Sequence, residues 1–490
     1  MGIEPDEPLT PAGRLFVQPA TELIINCALG IDRSVGIDVV RSVISNSLLV
    51  KHPRFTSLLV IDKHGRERWK RVDLEVDQHI VFIPDVIGDE GDDDEVVVND
   101  YLANLSVSCP LSTDKPLWEI HVLSAHKCVV IRFHHALGDG ISLLSLLLTL
   151  CRKVSNNDEM PTLDPPSVSL TNAGESLGIR LWKLLKMAWF TLVYMLAFCM
   201  RSLWLRDKKT VVSGGAGVEL WPRKLATARF SLDDMKTVKG AVANAVRFNF
   251  HYLVVAIVPD SAAHRPHHRL NQGLRQPLVV SVSSGSCRAD RWCCGSGGAP
   301  KEGLQITGAA MVNLRKSSGI QEITELMKKN SKSRWGNKFG MILLPIYYHA
   351  SGSDPLHYIK RSKTMIDNKK LSLEALLSYK VGYFVMKCFG AKLASLLNYR
   401  IICNTSFTIS NLVGPKEEFM IAGIPVTYIR ATATSLAHAI TMHMVSYAGK
   451  ADMQILVAKE IIPHPEILAK FFEGALLDMK EAAKLSQNSA

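Results

Sequence analysis

The 490-residue sequence predicts an α/β protein, with sheets and helices in α+β-style layers, long enough for two domains. Short β-branched runs alternate with helical ones over about the first 170 residues, and the alternation resumes from Leu304. Between them an apolar stretch runs into Ser213-Gly214-Gly215-Ala216-Gly217, which reads as a linker. A chain this long can bury two substantial cores.

In the first half, Leu58-Leu59-Val60-Ile61 and Cys128-Val129-Val130-Ile131-Arg132-Phe133 are strand-like, and Leu143 to Leu150 is helical. Gly88 to Glu95 is an acidic loop. Its carboxylates lack the ligand order and terminal spacing of an EF-hand, so it reads as solvated rather than as a calcium site.

The most informative segment is His134-His135-Ala136-Leu137-Gly138-Asp139-Gly140, between that second strand and that helix. Adjacent strand side chains point to opposite faces, so one imidazole can look into a cleft while the other packs inside. A neutral imidazole at a strand end suits general-base work. No Gly-x-Ser-x-Gly elbow accompanies it and no cysteine stands beside it, so the substrate itself would attack, in one direct transfer. Asp139 can accept from an imidazole or pair with a distant arginine that fixes the loop. The bland alternative is a core histidine followed by an ordinary turn.

His134-His135-x-x-x-Asp139-Gly140 resembles the HHxxxDG signature of the CoA-dependent acyltransferases. Asp114-Lys115-Pro116-Leu117-Trp118-Glu119 resembles a block shortly upstream of it in the wax ester synthase/diacylglycerol acyltransferase family. Arg334-Trp335-Gly336-Asn337, Ser372-Leu373-Glu374-Ala375 and Ser410-Asn411-Leu412-Val413-Gly414-Pro415 resemble three further blocks of its plant branch, and Glu7 to Phe16 fits the opening.

This resemblance implies a two-lobed, chloramphenicol acetyltransferase-like fold with the active-site channel between the lobes. It implies His135 as catalytic base, taking the proton from a hydroxyl as its oxygen attacks the thioester of a long-chain acyl-CoA. His134, Asp139 and Gly140 support the motif, Asp139 through an ion pair with an arginine that the sequence does not identify. The oxyanion that develops needs donors aimed at it. Asn411 is a candidate for lining the site, with Ser410, Gly414 and Pro415 of its block and with Pro116, Leu117 and Trp118. A plain turn is the alternative for Asn-x-x-Gly-Pro. The acceptor would be a fatty alcohol, giving wax ester, or diacylglycerol, giving triacylglycerol. No cofactor is expected beyond acyl-CoA as substrate, and no metal. The plant members imply an endoplasmic-reticulum membrane location with the catalytic part facing the cytosol, the plasma membrane being a second location.

Met187 to Met200 carries no charge, is bounded by Lys186 and Arg201, and has Trp182, Trp189 and Trp204 near its ends. The uncharged core is short for a bilayer span, but with its flanks it approaches one. Aromatic and basic flanks favour membrane contact over simple burial. The organisation expected is therefore an N-terminal lobe over 1–180, a membrane-associated segment over 181–206, a linker over 207–227 and a C-terminal lobe over 228–490.

The net charge of +11 is spread along the chain. Basic groups gather at Arg201-Arg206-Lys208-Lys209, Lys328-Lys329-Lys332-Arg334 and Lys360-Arg361-Lys363, without any nucleic-acid motif. Anionic membrane surfaces and CoA phosphates suit these charges better than nucleic acid does. The ten cysteines show no paired framework, which points to reduced thiols facing the cytosol. The acidic, proline-bearing N-terminus lacks the pattern of a secretory signal.

Residues 247–303 do not fit. From Lys239 to Lys301 no lysine intervenes, while arginines, His264, His267, His268 and a Ser/Gly/Cys-rich run take over. The family would place an Asn-Asp block just after Val246, where this chain has Arg247-Phe248-Asn249-Phe250. Translation in another frame or a retained intron would produce such a change, and a species-specific loop is the alternative. The spacings of His264, His267, His268, Cys287, Cys293 and Cys294 match no standard zinc site. The missing block makes a catalytically inactive acyl-CoA- or lipid-binding homologue a second reading of the chain. A soluble alcohol acyltransferase of specialised metabolism is a third, against which stands the missing Asp-Phe-Gly-Trp-Gly block.

Overall fold

A computed structural model describes residues 7–89, 91–163, 176–210, 212–241, 303–315, 335–347 and 355–488. The atypical segment up to residue 302, with its six zinc candidates, lies outside the described residues, as does Arg334.

The chain opens with β1 (Glu7–Pro8), α1 (Pro11–Phe16), β2 (Ile24–Ile31), α2 (Ile37–Ser45) and the strand pair β3 (Ser57–Ile61) and β4 (Glu67–Arg71). Then come β5 (Ile80–Ile83), α3 (Asp94–Ser108), β6 (Trp118–Leu123), β7 (Cys128–His134), α4 (Gly140–Leu148) and β8 (Cys151–Lys153). The long helix α5 (Leu177–Leu203) precedes β9 (Arg223–Ser231), α6 (Leu232–Gly240), β10 (Gln305–Asn313) and β11 (Phe339–Tyr347). The remainder is α7 (Pro355–Leu371), α8 (Glu374–Cys403), β12 (Phe407–Val413), β13 (Phe419–Ile421), β14 (Ile424–Ala433), β15 (Ile440–Tyr447), β16 (Lys450–Ala458) and α9 (Pro465–Asn488).

Helix starts follow the capping chemistry of the sequence. Thr10 accepts from Gly13 N and Pro11 fills the first turn of α1. Ser231 accepts from Asp233 N and caps α6, with Asp233 and Asp234 in the first turn where the helix dipole favours acids. Asp93 caps α3, which turns the end of the acidic loop into a helix start.

Two large sheets form the lobes, with strand orders β5-β6-β7-β2-β14-β13-β8 and β11-β10-β12-β15-β16-β9. The division expected near 180 and 228 separates the chain but not the sheets. Strands β13 and β14, from the C-terminal part, complete the first sheet, with β14 antiparallel to β2. The linker is likewise no loose tether. A Cβ on Gly214 would stand 2.5 Å from Ala437 O, and Gly215 N donates to that same carbonyl at 2.7 Å.

One face of the second sheet packs Phe230, Ile409, Met444 and Ile455 beneath α6, α7 and α9. Its other face meets the first lobe. There Leu225 and Leu456 join Val130 and Cys128 of β7 and Val98 and Leu102 of α3 in one cluster. Strand β14 lies directly on β15 and β16, and the buried Arg430–Asp452 pair crosses the gap at 2.8 Å. The lobes are thus joined by apolar packing around a charged rivet.

Helix α5 has the length and apolarity to cross a membrane, and only 6% of its most apolar window is buried. Its C-terminal end is anchored: Phe198 packs against Met341 and Leu343, and Arg201 pairs with Asp207 at 2.9 Å. Arg201 is therefore a buried clamp and not part of a surface cationic patch.

A Cβ on Gly340 of β11 would come within 1.8 Å of the backbone oxygen of Ala375 in α8. Gly340→Ala is expected to destabilise the fold by about 1–3 kcal/mol, the usual range for overpacking. A denaturation midpoint equal to that of the parent chain would show that α8 can shift away freely.

Candidate active site

Strand β7 delivers the two histidines in register. His134 N donates to Leu117 O at 3.0 Å and His135 N to Leu23 O at 2.8 Å, so strand pairing extends through both. His134 is 3% exposed, and its Nδ1 accepts from Ala136 N. Burial depresses its pKa to about 4, leaving it a neutral packing residue.

His135 is placed differently. Its ring stacks on Phe16 of α1 at a centroid distance of 4.1 Å and meets the edge of Phe339 of β11. Nδ1 lies 2.9 Å from Asn337 Oδ1, while Asn337 Nδ2 donates to His135 O at 2.7 Å. The backbone carbonyl can only accept, so the amide must turn its nitrogen there and its oxygen to the ring. An oxygen facing Nδ1 fixes the proton on Nδ1, and the lone pair of the neutral imidazole stands on Nε2. Burial pulls the His135 pKa below the ordinary histidine value, and the Asp139 charge and the Asn337 hydrogen bond oppose that pull. The resting ring is a neutral base at physiological pH.

Asp139 does not touch the ring through a hydrogen bond. Its Oδ1 caps α4 by accepting from Ser142 N at 3.1 Å. Its Oδ2 accepts from Lys338 N at 3.0 Å and pairs with the guanidinium of Arg315. Arg315 also donates to Gly336 O, and Trp335 Nε1 donates to Leu137 O at 2.8 Å. The turn carrying His135 is therefore gripped from the far side by residues 335–338 and by Arg315.

A family profile described as the wax ester synthase/diacylglycerol acyltransferase catalytic domain matches residues 40–246, and one described as the WS/DGAT C-terminal domain matches 335–480. Wax ester synthase/diacylglycerol acyltransferase 11 of Arabidopsis thaliana is 32% identical over 496 residues, covering 97% of this chain and 95% of its own length. Wax ester synthase/diacylglycerol acyltransferase 5 of the same plant is also 32% identical, covering 97% and 94%. The chain belongs to the wax ester synthase/diacylglycerol acyltransferase family.

Its fold is shared with solved structures of low sequence identity. The wax ester synthase/diacylglycerol acyltransferase of Marinobacter aquaeolei VT8 superposes with a TM-score of 0.55 at 14% identity, over 97% of this chain and all of the other. A trichothecene 15-O-acetyltransferase from Fusarium sporotrichioides gives 0.53 at 11% identity, over 97% and 94%. The two-lobed acyltransferase architecture is thereby shown. The two profile matches leave out 247–334, the stretch that begins where the sequence loses the family pattern.

Within this family fold several expected site residues sit elsewhere. Pro116, Leu117 and Trp118 are buried, the last two in the first-lobe cluster that also holds Ala136 and Leu137 of the catalytic turn. Trp118 is fully buried, stacks on His79 at 4.0 Å and donates to Phe55 O, and Leu117 supports His134 through its carbonyl. Apolar side chains beside a buried strand were drawn into the core. Asn411 is a strand residue on β12, which excludes the turn role. Alternation places it with Ile409 and its partner Met444 on the helix-covered face, away from the other lobe. Ser410 takes the inter-lobe face instead. Gly414 allows a close backbone crossing, since a Cβ there would stand 2.3 Å from Ser446 O, and Pro415 is buried beside it. Gly140 opens α4 and would touch only Leu412.

Sequence alone does not distinguish Arg315, Phe339 or His443, and it gives Phe16 and Asn337 only as members of family-like blocks. Arg315 lies 176 residues from Asp139, and no local signal joins them. Among the described residues no group of acidic, histidine or cysteine side chains could hold a metal ion.

Activity should fall on the acid side of the ordinary histidine pKa of about 6.5, because protonation removes the base and burial shifts that event downward. A kcat/KM profile whose acid limb lies above pH 7 would contradict the neutral resting ring. Asp139→Asn keeps the helix cap but removes the charge opposite Arg315. It is expected to cost about 2–4 kcal/mol of stability, for a partly buried pair broken on one side, as read by thermal unfolding.

Proposed function

We propose that this chain is an acyl-CoA-dependent O-acyltransferase that makes neutral lipid, esterifying a fatty alcohol to wax ester, a diacylglycerol to triacylglycerol, or both. The observation that carries the reading is the His135 imidazole, tied at Nδ1 to Asn337, with no nucleophilic side chain hydrogen-bonded to its Nε2 among the described residues. Such a base serves a nucleophile that arrives with the substrate.

An alcohol is too weak an acid to ionise first, so the proton moves to Nε2 as the oxygen attacks the thioester carbonyl. The C–O bond forms while the carbonyl π pair shifts to oxygen. When the carbonyl re-forms, the C–S bond breaks and CoA leaves as thiolate, taking the proton back from the imidazolium. His135 ends as it began. Asn337 holds the ring orientation through the cycle, since its oxygen accepts from Nδ1 in both charge states. Asp139 keeps its proton-free role as cap and ion-pair partner.

The reading extends to a membrane. Trp182, Trp189 and Trp204 are more than half exposed, with Leu184, Leu185, Leu192 and Leu196 exposed between them. The α5 segment contains no acidic residue, and Arg180, Lys183 and Lys186 flank its apolar run. A helix so composed associates with an anionic bilayer surface. An endoplasmic-reticulum membrane, with the site on the cytosolic side, is the location proposed, the plasma membrane being second.

Expression in a yeast lacking neutral-lipid synthesis, with and without added fatty alcohol, tests the proposal. Wax ester or triacylglycerol above the empty vector is expected, and His135→Ala should lower it about 10²–10⁴-fold, the usual contribution of a general base. His134→Ala should reduce yield only through stability. Absence of both products, with the chain confirmed in membranes, would favour the inactive lipid-binding homologue.

A further inference from the structure

The base and its orienting groups account for proton movement but supply no donor for the oxyanion. The second sheet offers a residue for that task. Along β12, β15 and β16 the register aligns Ser410 with His443 and His443 with Gln454. Their neighbours Ile409, Met444 and Ile455 face the helix-covered core, so this row faces the first lobe.

The row can be located relative to His135. Leu412 and Val445, two residues along from Ser410 and His443, pack in the same cluster as Ala136 and Leu137 of the His135 turn. Leu412 also lies against Gly140. One strand step of about 7 Å separates that contact from Ser410 and His443. His443 therefore stands at the inter-lobe gap beside the catalytic turn, on the opposite wall.

Its hydrogen bonding is incomplete. Nδ1 of His443 is buried with no partner among the described residues, and so are Oε1 of adjacent Gln454 and Oγ1 of Thr441, two residues before it on the same strand face. Buried polar atoms of native proteins are normally satisfied, so a cluster of orphans on a wall beside a catalytic base calls for an occupant with polar atoms. Burial lowers the His443 pKa to about 4, and a proton on His135 would lower it further. A ring that stays neutral offers one N–H without adding a cation that would oppose the imidazolium forming on His135.

We propose that His443 donates a hydrogen bond to the carbonyl oxygen of the acyl thioester and stabilises the negative charge that develops there when the hydroxyl adds. The inference rests on the acyl-transfer reading above. No proton is transferred from His443. The π pair moves to the carbonyl oxygen, the His443 N–H solvates it, and the pair returns as C–S breaks.

The test uses the purified full-length chain, decanoyl-CoA labelled with ¹³C at the thioester carbonyl, and His443→Phe, which keeps ring volume but removes both nitrogens. Infrared spectra of the bound thioester should show its carbonyl stretch lowered in the parent chain, and the shift should be lost in His443→Phe. His443→Gln, which restores an N–H, should recover part of it. With an alcohol acceptor, His443→Phe should lower kcat about 10²–10³-fold with little change in KM, as for other oxyanion donors. Identical carbonyl frequencies in the parent chain and His443→Phe, both binding decanoyl-CoA by thermal shift, would overturn the assignment while leaving the acyl-transfer reading intact. Failure of the parent chain to be stabilised by decanoyl-CoA would overturn that reading and this inference with it.

Discussion

The Asp139–Arg315 ion pair is the contact on which the site depends. One carboxylate starts α4, receives the Lys338 amide and meets a guanidinium from beyond β10. It therefore fixes a turn of the first lobe against two segments of the second. Both partners are nearly buried, and a charge taken from water is tolerated only when its oxygens are fully occupied. Here they are, by a helix N-terminus, a backbone amide and a guanidinium. The same segment that supplies Lys338 brings Trp335 to Leu137 O and Asn337 to His135. The position and the tautomer of the base thus follow from how the lobes are clamped.

A neutral base near physiological pH requires opposing influences to balance. Burial between Phe16 and Phe339 disfavours the imidazolium, while the Asp139 carboxylate and the Asn337 oxygen favour it. Too much burial would make the ring too weak a base, and a direct Asp139 contact would leave it protonated at rest. Placing the carboxylate on an arginine keeps its field in the site without a hydrogen bond to the ring. The motif spacing serves this separation: Asp139 follows His135 by four residues and closes the turn as a helix cap.

Local features were legible in the sequence because local chemistry sets them. The β-branched run at Cys128 and the Asp139 turn both appear as read. Features depending on distant partners were not. Trp118 lies close to the motif in sequence yet faces the core, because nothing in a block of apolar letters states which side of the sheet is covered. Asn411 differs from Ser410 only by strand parity, and parity is fixed by the α6, α7 and α9 layer that buries Ile409 and Met444. Strands β13 and β14 cross to the first sheet although they follow the linker, since sheet membership is decided by pairing with β2 and β8 rather than by order. Arg315 has no local signature at all.

The exposed helix and the buried base are parts of one structure. Helix α8 packs along α5, and Leu373 N at its start donates to Thr191 of α5 at 3.0 Å. Farther along, Met386, Ala391 and Ala394 of α8 receive Leu15 of α1, and Ser395 meets Thr21 at 3.0 Å. The next residue of α1, Phe16, is the ring stacked on His135. A reaction that joins two apolar chains needs a base shielded from water, because hydroxide or water at the thioester would waste the acyl group. The aromatic cover that provides this shielding is carried on the helix that rests on α8. Displacing α8 against α5 would move the cover before it moved the base, since the base is fixed separately by the Asp139 clamp. The proton's position and its apolar cover are thereby set by different elements of the fold.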